Sequence, residues 1–536
     1  MRALKTIAII LLALIPISCS STRRVTELKK AVSPYDFGLR SAKTGVERYQ
    51  VLLKTHQAAV SSGVNVDYSG IDSLDIEVPA DFKRIPLTQH NDFKGCVLTV
   101  KNTSGKGWLF YTSQKEIPVE VDKRLIDKGD FRTVPELSRG KYLLLIEDEK
   151  PWVLNRKGHN YGHQRRDILL VHNGKSKNHT TMPYDNENSS PKCTYIPVKE
   201  EPFIVKNLTV NRDPSCTFVT YLFYVSGFDD VRFSNVSIYT PENKLTGDSA
   251  IRVFNSTNVT FTDIHIEGTY SQPDYSGYGF SLGNVWNFKG KGLYGRGNWG
   301  VFGTNNVNTA HIEDSQINRF DIHCYGRDLS YDRVTFFDRF NSHSSVFGTI
   351  IYNNCTFTNF VPSQFGGSYN AFVAHDVEFN DCVFNLAPKK NYLFRPLDVT
   401  KEINTREELT RKCLPNIRIK NLTVNMADGV RDFYIISIMK KDAFDSAFDW
   451  ISEISIDGLT INAIPDSPIK TVQLCNRPIE TVNDISFSIR NVIINQPQSI
   501  LAKTLVQNEA FLRFNIPIKK ENVHMSKIQN LKFESK

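Results

Sequence analysis

The chain lacks three features that would assign it to common functional classes. Its nine cysteines include no C-x-x-C pair, which argues against a structural zinc site. It has no block of Lys and Arg, and a net charge of +8 over 536 residues is mild, so nucleic acid is not expected as a partner. Beyond residue 19, no apolar run is long enough to cross a bilayer. The composition, with 40% hydrophobic and 11% aromatic residues, instead indicates a folded globular protein.

Residues 1–19 have the pattern of a processing segment. Arg2 and Lys5 flank the start of "TIAIILLALIPI", an apolar run too short to span a bilayer, and the segment ends in "PISCSST". A lone cysteine after a small residue at this point resembles the bacterial lipoprotein signal, although Pro16 stands where Leu is usual. The resemblance implies a lipid on Cys19 and a protein anchored at the outer membrane, cell surface or periplasm. Ordinary secretion, with Cys19 removed, is the alternative.

A short phrase recurs along the chain from about residue 200 onward. It consists of Asn, Asp or Gly, then an apolar residue, a small or polar residue, and an aliphatic or aromatic residue. Copies begin at Asn207, Asn235, Asp263, Gly290, Asp314, Arg333, Asn354, Asp381, Asn421, Gly458 and Asn491. A repeated unit with insertions of variable length is typical of a solenoid.

Each phrase has the alternating pattern of a short strand, and the flanking apolar residues continue the period of two. Asn and Gly suit the bend before each strand because they tolerate left-handed backbone dihedrals. The sequence therefore predicts an all-β parallel β-helix, in which equivalent residues of successive coils stack. Cys355 and Cys382 are expected to stack in the core, with a disulfide as the alternative. A buried column is predicted from Val210, Ile238, Ile266, Ile317, Phe336, Phe357 and Phe384.

A helix is predicted before the strands, in "TGVERYQVLLKTHQAAVSSG". Thr44 and Glu47 form a capping box, Gly63 ends the helix, and apolar residues fall at Val46, Tyr49, Leu52, Leu53 and Val60. With the recurring strands, this arrangement resembles the pectin-lyase-like superfamily of right-handed parallel β-helix proteins, over about residues 35–510. The resemblance implies a single-stranded right-handed solenoid whose first coil is capped by the amphipathic helix.

The predicted organisation has four parts. Residues 1–19 are the signal segment, residues 20–43 a linker, residues 44–510 the β-helix, and residues 511–536 a C-terminal cap or tail. The segment at about 103–200 interrupts the repeat and is interpreted as irregular early coils with loop-rich insertions.

A motif is written twice, as "NRFDIH" from Asn318 and as "DRFNSH" from Asp338. If the two copies lie one coil apart, their side chains stack at about 4.8 Å spacing. We expect Phe320 and Phe340 to point into the core. The other side of the strand would carry Arg319 over Arg339, Asp321 over Asn341, and His323 over His343.

Neighbouring segments add residues that are typical of a glycan site. Aromatic faces pack on sugar rings, whereas Arg and Asn hold carboxylates and hydroxyls. The substrate-binding candidates are Arg296, Trp299, Tyr275, Tyr278, Arg327 and Asn341, and the catalytic candidates are His323, His343, Arg319, Arg339, Asp321 and Asp328. The alternative for this region is an ordinary polar exterior of a solenoid.

Two enzymatic mechanisms fit these candidates. Cleavage of an acidic polysaccharide by β-elimination needs a cation to neutralise the carboxylate and a base such as His323 or His343. Hydrolysis needs a pair of carboxyl groups. The polygalacturonase motifs and the acidic calcium cluster of pectate lyases are absent from the sequence, so no residue roles carry over, and calcium stays open as a cofactor. We expect an acidic-polysaccharide lyase, with a glycoside hydrolase or a glycan-binding adhesin as alternatives.

Overall fold

The computed structural model describes most of the chain between residues 31 and 534. The described ranges are 31–102, 107–121, 133–153, 163–180, 191–214, 216, 220–240, 249–268, 278–296, 300–323, 326–343, 346–365, 376–396, 415–437, 453–464, 471–475, 485–495, 512–513, 523–525 and 529–534.

Four short helical elements occur in these ranges. The α-helix spans Gly45–Ser62, and 3-10 turns span Pro34–Phe37, Leu39–Ser41 and Pro135–Leu137. The predicted caps of the α-helix are confirmed, because Thr44 and Glu47 form the capping box and Gly63 adopts a φ of 64°. Tyr49, Leu52 and Leu53 are buried against the first strands as predicted, whereas Val46 and Val60 are exposed.

Twenty-seven strands form one large parallel sheet that winds into a β-helix. Its first part comprises Ser73–Val78, Ile85–Pro86, His90–Asn102, Gly107–Ser113, Phe203–Arg212, Thr220–Ser226, Asp229–Thr240, Ser249–Gly268, Tyr278–Arg296 and Gly300–Ile317. The middle part comprises Phe320–Ile322, Gly326–Phe337, Phe340–His343, Val346–Asn353, Thr356–Thr358, Val361–Phe365, Asp376–Asn380, Val383–Asn385 and Tyr392–Pro396. The last part comprises Asn416–Asn425, Asp432–Ile436, Glu453–Asn462, Thr471–Cys475, Ile485–Asn495, Leu512–Arg513, Val523–Met525 and Gln529–Glu534.

The recurring phrase marks one bend of every coil. Ten of its eleven predicted starts have positive φ, including the non-glycine residues Asn207, Asp314 and Arg333. In the remaining copy the bend lies at Gly292, two residues after the predicted start at Gly290. Asparagine side chains also bond from coil to coil, as Asn425, Asn462 and Asn495 do at 2.7–2.8 Å. These ladders satisfy polar groups at the bends and hold neighbouring coils in register.

The predicted core column is confirmed. Its seven side chains are fully buried, and the strand pairing places Val210 beside Ile238, Ile238 beside Ile266, and Phe336 beside Phe357. Cys355 and Cys382 stack in the core as free thiols, so the disulfide alternative is wrong.

A second sheet lies within the segment at about 103–200. It is antiparallel, with strands Ile117–Val119, Pro191–Pro197, Lys141–Val153, His163–His172 and Lys175–Ser176 in that spatial order. The expectation of irregular coils is wrong here. The runs "KYLLLI" and "DILLV" pair with each other and are buried on both faces, which explains why they are continuously apolar. One face packs toward Trp286 of the β-helix.

Candidate functional site

The candidate site is built around Asp321, in the short strand Phe320–Ile322. The side chain of Asp321 is fully buried and forms an ion pair with the equally enclosed guanidinium of Arg319. The Ser342 backbone N–H donates to Asp321 Oδ1 at 3.0 Å, and the Arg319 guanidinium carbon lies 4.2 Å from the centre of the Phe340 ring. A buried charge pair is tolerated only when further contacts compensate for its burial, and these two contacts contribute to that compensation.

Tyr278 and His323 complete the cluster. The Tyr278 hydroxyl donates to Asp321 Oδ2 at 3.1 Å and lies 2.8 Å from His323 Nε2, which is itself 3.4 Å from Asp321 Oδ2. Because the Tyr278 proton is directed to the carboxylate, the hydrogen bond with His323 requires a proton on Nε2. In the neutral imidazole, Nδ1 is then the acceptor. The His323 side chain retains 19% of its exposure, whereas that of Asp321 retains none.

Asp321 remains ionised at neutral pH. Burial alone would raise the pKa of this carboxyl, but the charge of Arg319 and the hydrogen bond from His323 outweigh it, so the net shift of the pKa is downward. The cluster therefore contains a permanent carboxylate that holds the imidazole of His323 in one orientation.

Two glycines on the intervening coil make room for this arrangement. A Cβ on Gly303 would lie 2.6 Å from the Tyr278 ring, and one on Gly300 would lie 3.0 Å from Arg319 Cδ. Gly303 pairs with Asp321 on one side and with Ser281 on the other. Tyr278 therefore reaches Asp321 from two coils away because the coil between them carries hydrogen atoms in place of side chains.

Two further cationic side chains, Arg339 and Lys390, lie near Arg319. Arg339 is half-buried, and its pKa is lowered first by burial and then by the like charge of Arg319. Lys390 is also half-buried, and its Nζ donates to the carbonyl oxygens of Asp338 and Asn359 at 2.7 and 2.8 Å. Burial lowers the pKa of Lys390, the nearby carboxylate of Asp338 partly offsets this effect, and the charge of Arg339 lowers the pKa further. Such crowding of positive groups favours the binding of an anion.

The predicted stacking of the doubled motif is wrong by one residue. Ile322 pairs with His343, and Ser342, not Asn341, donates to Asp321. The coil offset is 19 residues between Ile317 and Phe336 but 21 between Ile322 and His343, because the intervening bend of the later coil holds two more residues. The motif spacing of 20 residues therefore matches neither offset.

This shift places the second copy of the motif in a different environment. Asn341 and His343 are fully buried: Asn341 bonds the Tyr352 hydroxyl at 3.3 Å and the Phe320 N–H at 2.7 Å, and His343 Nδ1 bonds Ser363 Oγ. Burial lowers the pKa of His343 to about 3, an effect only partly offset by Asp321. His323 and His343 therefore do not form the predicted exposed pair.

The remaining candidates are distributed around this cluster. Arg327 donates to the Thr180 carbonyl at 3.2 Å and lies 3.7 Å from the carboxylate of Asp328. Asp328 occupies a bend with a φ of 50°, where its Oδ1 accepts from the Thr349 N–H at 3.1 Å. Arg296 is exposed at the end of the strand Tyr278–Arg296. Tyr275, Trp299 and Cys19 lie outside the described residues.

The described residues also bear on the requirements of a metal site and of a membrane-spanning helix. Within them, no group of three His, Cys, Asp or Glu side chains is arranged to hold a metal ion. No helix among these residues is long and apolar enough to cross a membrane.

Comparison with solved structures identifies the fold. The tailspike protein gp49 of Pseudomonas phage LKA1 is 12% identical, with a TM-score of 0.53, over 87% of this chain and 81% of the tailspike. The chain therefore has the right-handed parallel β-helix fold. The β-helix is also similar to the gp54 tailspike of Acinetobacter baumannii bacteriophage AP22, solved with a capsular saccharide, at 11% identity and a TM-score of 0.47 over 83% of this chain and 77% of that one. No protein-family model matches the chain, and no curated protein matches its sequence.

Proposed function

We propose that this β-helix is a polysaccharide-active enzyme that cleaves an acidic glycan by β-elimination at His323. The observation that carries the proposal is the buried Arg319 and Asp321 pair, which orients a partly exposed imidazole through its Nε2 atom. A buried ion pair contributes little net stability. An arrangement that holds one partly exposed histidine in a defined tautomer is expected where that histidine transfers protons.

In the proposed reaction, His323 Nδ1 removes the proton from the carbon next to the substrate carboxylate. The electrons of that C–H bond form a carbon–carbon double bond, and the bond to the glycosidic oxygen breaks. The leaving oxygen takes a proton back from the imidazolium, so the base is restored. Arg339 neutralises the carboxylate and stabilises the negative charge that develops on it.

The cations around the site support an anionic substrate. Arg319 is already paired with Asp321, whereas the lowered pKa values of Arg339 and Lys390 reflect burial together with like-charge neighbours. A uronate carboxylate bound beside Arg339 would relieve that repulsion. This relief is an interaction that a neutral sugar could not supply.

The geometry disfavours the hydrolase alternative. A hydrolase needs one carboxyl group that is protonated and able to reach the leaving oxygen. Asp321 has no exposed surface and a lowered pKa, and the carboxylate of Asp328 is bonded within a bend. Asp321 is therefore a poor acid for hydrolysis, which supports elimination as the proposed reaction.

The test is incubation of the purified protein with acidic and neutral polysaccharides, following ultraviolet absorbance of unsaturated products together with reducing ends. We expect both signals to rise with an acidic glycan and His323→Ala to reduce turnover by roughly a hundredfold or more. His265→Ala is a matched control, because His265 stacks on Tyr294 on the solenoid surface. Reducing ends without unsaturated products would instead indicate hydrolysis, and binding without either signal would indicate a glycan-binding protein.

We further propose that a lipid on Cys19 holds the protein at a bacterial membrane surface or in the periplasm, where extracellular glycans are accessible. The lipoprotein-like pattern that ends in "PISCSST" supports this proposal.

A further inference from the structure

A groove lies where the antiparallel sheet meets the β-helix. It encloses about 510 Å³, within the range of small-molecule sites, and it is lined from both sides by polar and charged side chains. Glu147 and Arg166 from the antiparallel sheet face Phe254 and Asn255 from the strand Ser249–Gly268.

The ring of Phe254 forms a platform in this groove. Phe254 pairs with Gly283 on the next coil, and a Cβ on Gly283 would lie 2.5 Å from Phe254 Cδ2. The ring therefore extends across a residue that has no side chain. The guanidinium carbons of Arg166 and Arg252 lie 6.0 and 5.7 Å from the ring centre. A flat aromatic face flanked by hydrogen-bonding groups suits the apolar face of a pyranose.

The charges of the groove balance. Glu116 and Glu147 are matched by Arg166 and Lys192 in the lining. Arg166 is bound to both carboxylate oxygens of Glu147, at 3.0 and 3.1 Å. Glu116 accepts from Asn255 at 3.0 Å and retains lone pairs for further donors. This lining favours the hydroxyl groups of an uncharged sugar, unlike the cationic surroundings of Arg339.

The groove is aligned with the candidate active site along the solenoid axis. Phe254 pairs with Gly283 on the next coil, and Gly283 pairs with the exposed Asn305 on the coil after it. Thr304 pairs with Ile322, so the same register places the next residue, Asn305, beside His323. Three coils at about 4.8 Å each separate Phe254 from His323 by ~14 Å, about the length of a trisaccharide.

We propose that Phe254 and the groove around it form a subsite for an uncharged hexose unit of the polysaccharide that is cleaved at His323. The proposal rests on the proposed function in that the same glycan chain occupies both places. It defines the substrate as a heteropolysaccharide, with an acidic unit at His323 and a neutral unit about three residues away.

The test is calorimetric titration of the full-length His323→Ala protein, in which turnover is suppressed. The probes are neutral hexaoses of glucose, mannose and galactose, together with hexamers of galacturonate and mannuronate. We expect at least one neutral hexaose to bind, and Phe254→Ala to weaken that binding roughly tenfold. Gly283→Ala should weaken it as well, because the added methyl displaces the ring. Tyr239→Ala is the control, since Tyr239 is exposed and packs against the ring of His265 on another part of the surface.

The outcomes separate this proposal from the proposed function. Equal affinity in Phe254→Ala, an equal loss in Tyr239→Ala, or no binding of any neutral hexaose at millimolar concentration would overturn the subsite. If Phe254→Ala weakens binding but no acidic glycan is cleaved by the unsubstituted protein, the subsite stands and the lyase proposal fails. If His323 proves essential for cleavage while Phe254→Ala binds normally, only the subsite fails.

Discussion

Acid should destabilise the protein through two interior histidines. His56 lies in the capping helix, where Nδ1 is 2.9 Å from the Pro86 carbonyl oxygen and Nε2 is 2.8 Å from the Tyr68 hydroxyl. Burial lowers the pKa of His56 to about 4 and that of His343 to about 3. Both rings are fully buried and neutral in the folded protein at mildly acidic pH.

The sign of the effect follows from the unfolded chain. An exposed histidine has a pKa of about 6.5, so the unfolded chain binds protons first as the pH falls. The stability is fully present above about pH 6.5 and is lost progressively toward the pKa of the folded state. At pH 5, which is about 1.5 units lower, each histidine should reduce the free energy of unfolding by about 2 kcal/mol.

The assay is urea unfolding followed by circular dichroism at pH 7 and pH 5. The variants His56→Gln and His343→Gln should each reduce the difference in stability between the two pH values by about 2 kcal/mol. Hydrogen–deuterium exchange at the imidazole C2 position, read by mass spectrometry, measures each pKa directly. The reasoning is refuted if His343→Gln keeps the full pH difference, or if His343 titrates near 6.5 in the folded protein. The latter result would restore His343 as a candidate base.

Three further predictions concern the core, the buried ion pair and the N-terminus. Phe357→Ala should reduce the free energy of unfolding by about 3–5 kcal/mol, because Phe357 is fully buried and stacked on Phe336. The half-buried Thr356 should tolerate Ala, so equal losses for the two variants in urea unfolding would contradict the core assignment. Asp321→Asn should cost about 3–5 kcal/mol, since it leaves the Arg319 charge buried; an unchanged unfolding midpoint would exclude that cost. Cys19→Ala should abolish lipid labelling and membrane association, and unchanged fractionation would rule out the anchor.

The repeat was predictable from the sequence because the chemistry of each bend is local. Residues such as Asn207, Asn354 and Asn421 adopt left-handed dihedrals at the start of their phrases, and that preference belongs to the residue itself. The core column follows, since a period of two decides which side chains point inward. The fold class and the residues of the core column were therefore predictable from the sequence.

The site was only partly predictable because it depends on register. Arg319, Asp321, His323 and Tyr278 were identified by residue type, but their partners are set by the number of residues in each bend. Lys390 was missed because 67 residues separate it from His323 along the chain. The glycines of "GRGNWGVFG" were a sequence signal for the coil that Tyr278 crosses, since glycines within a strand often mark the close approach of other groups.

The antiparallel sheet was missed for a different reason. The run at Leu143, Leu144 and Leu145 has no alternation, and a continuous apolar run does not distinguish a strand buried on both faces from other buried segments. Its pairing with Ile168, Leu169 and Leu170 joins segments that have no repeat phrase between them.

The displaced register of the doubled motif shows how bend length sets the surroundings of a repeated motif in a solenoid. The same spacing of Arg, acid or amide, and His gives one partly exposed imidazole and one fully buried imidazole, because the bend at Asp338 is longer than its counterpart. Bend length therefore decides whether a residue at a given place in the motif lies at the surface or in the interior, without any change in that residue.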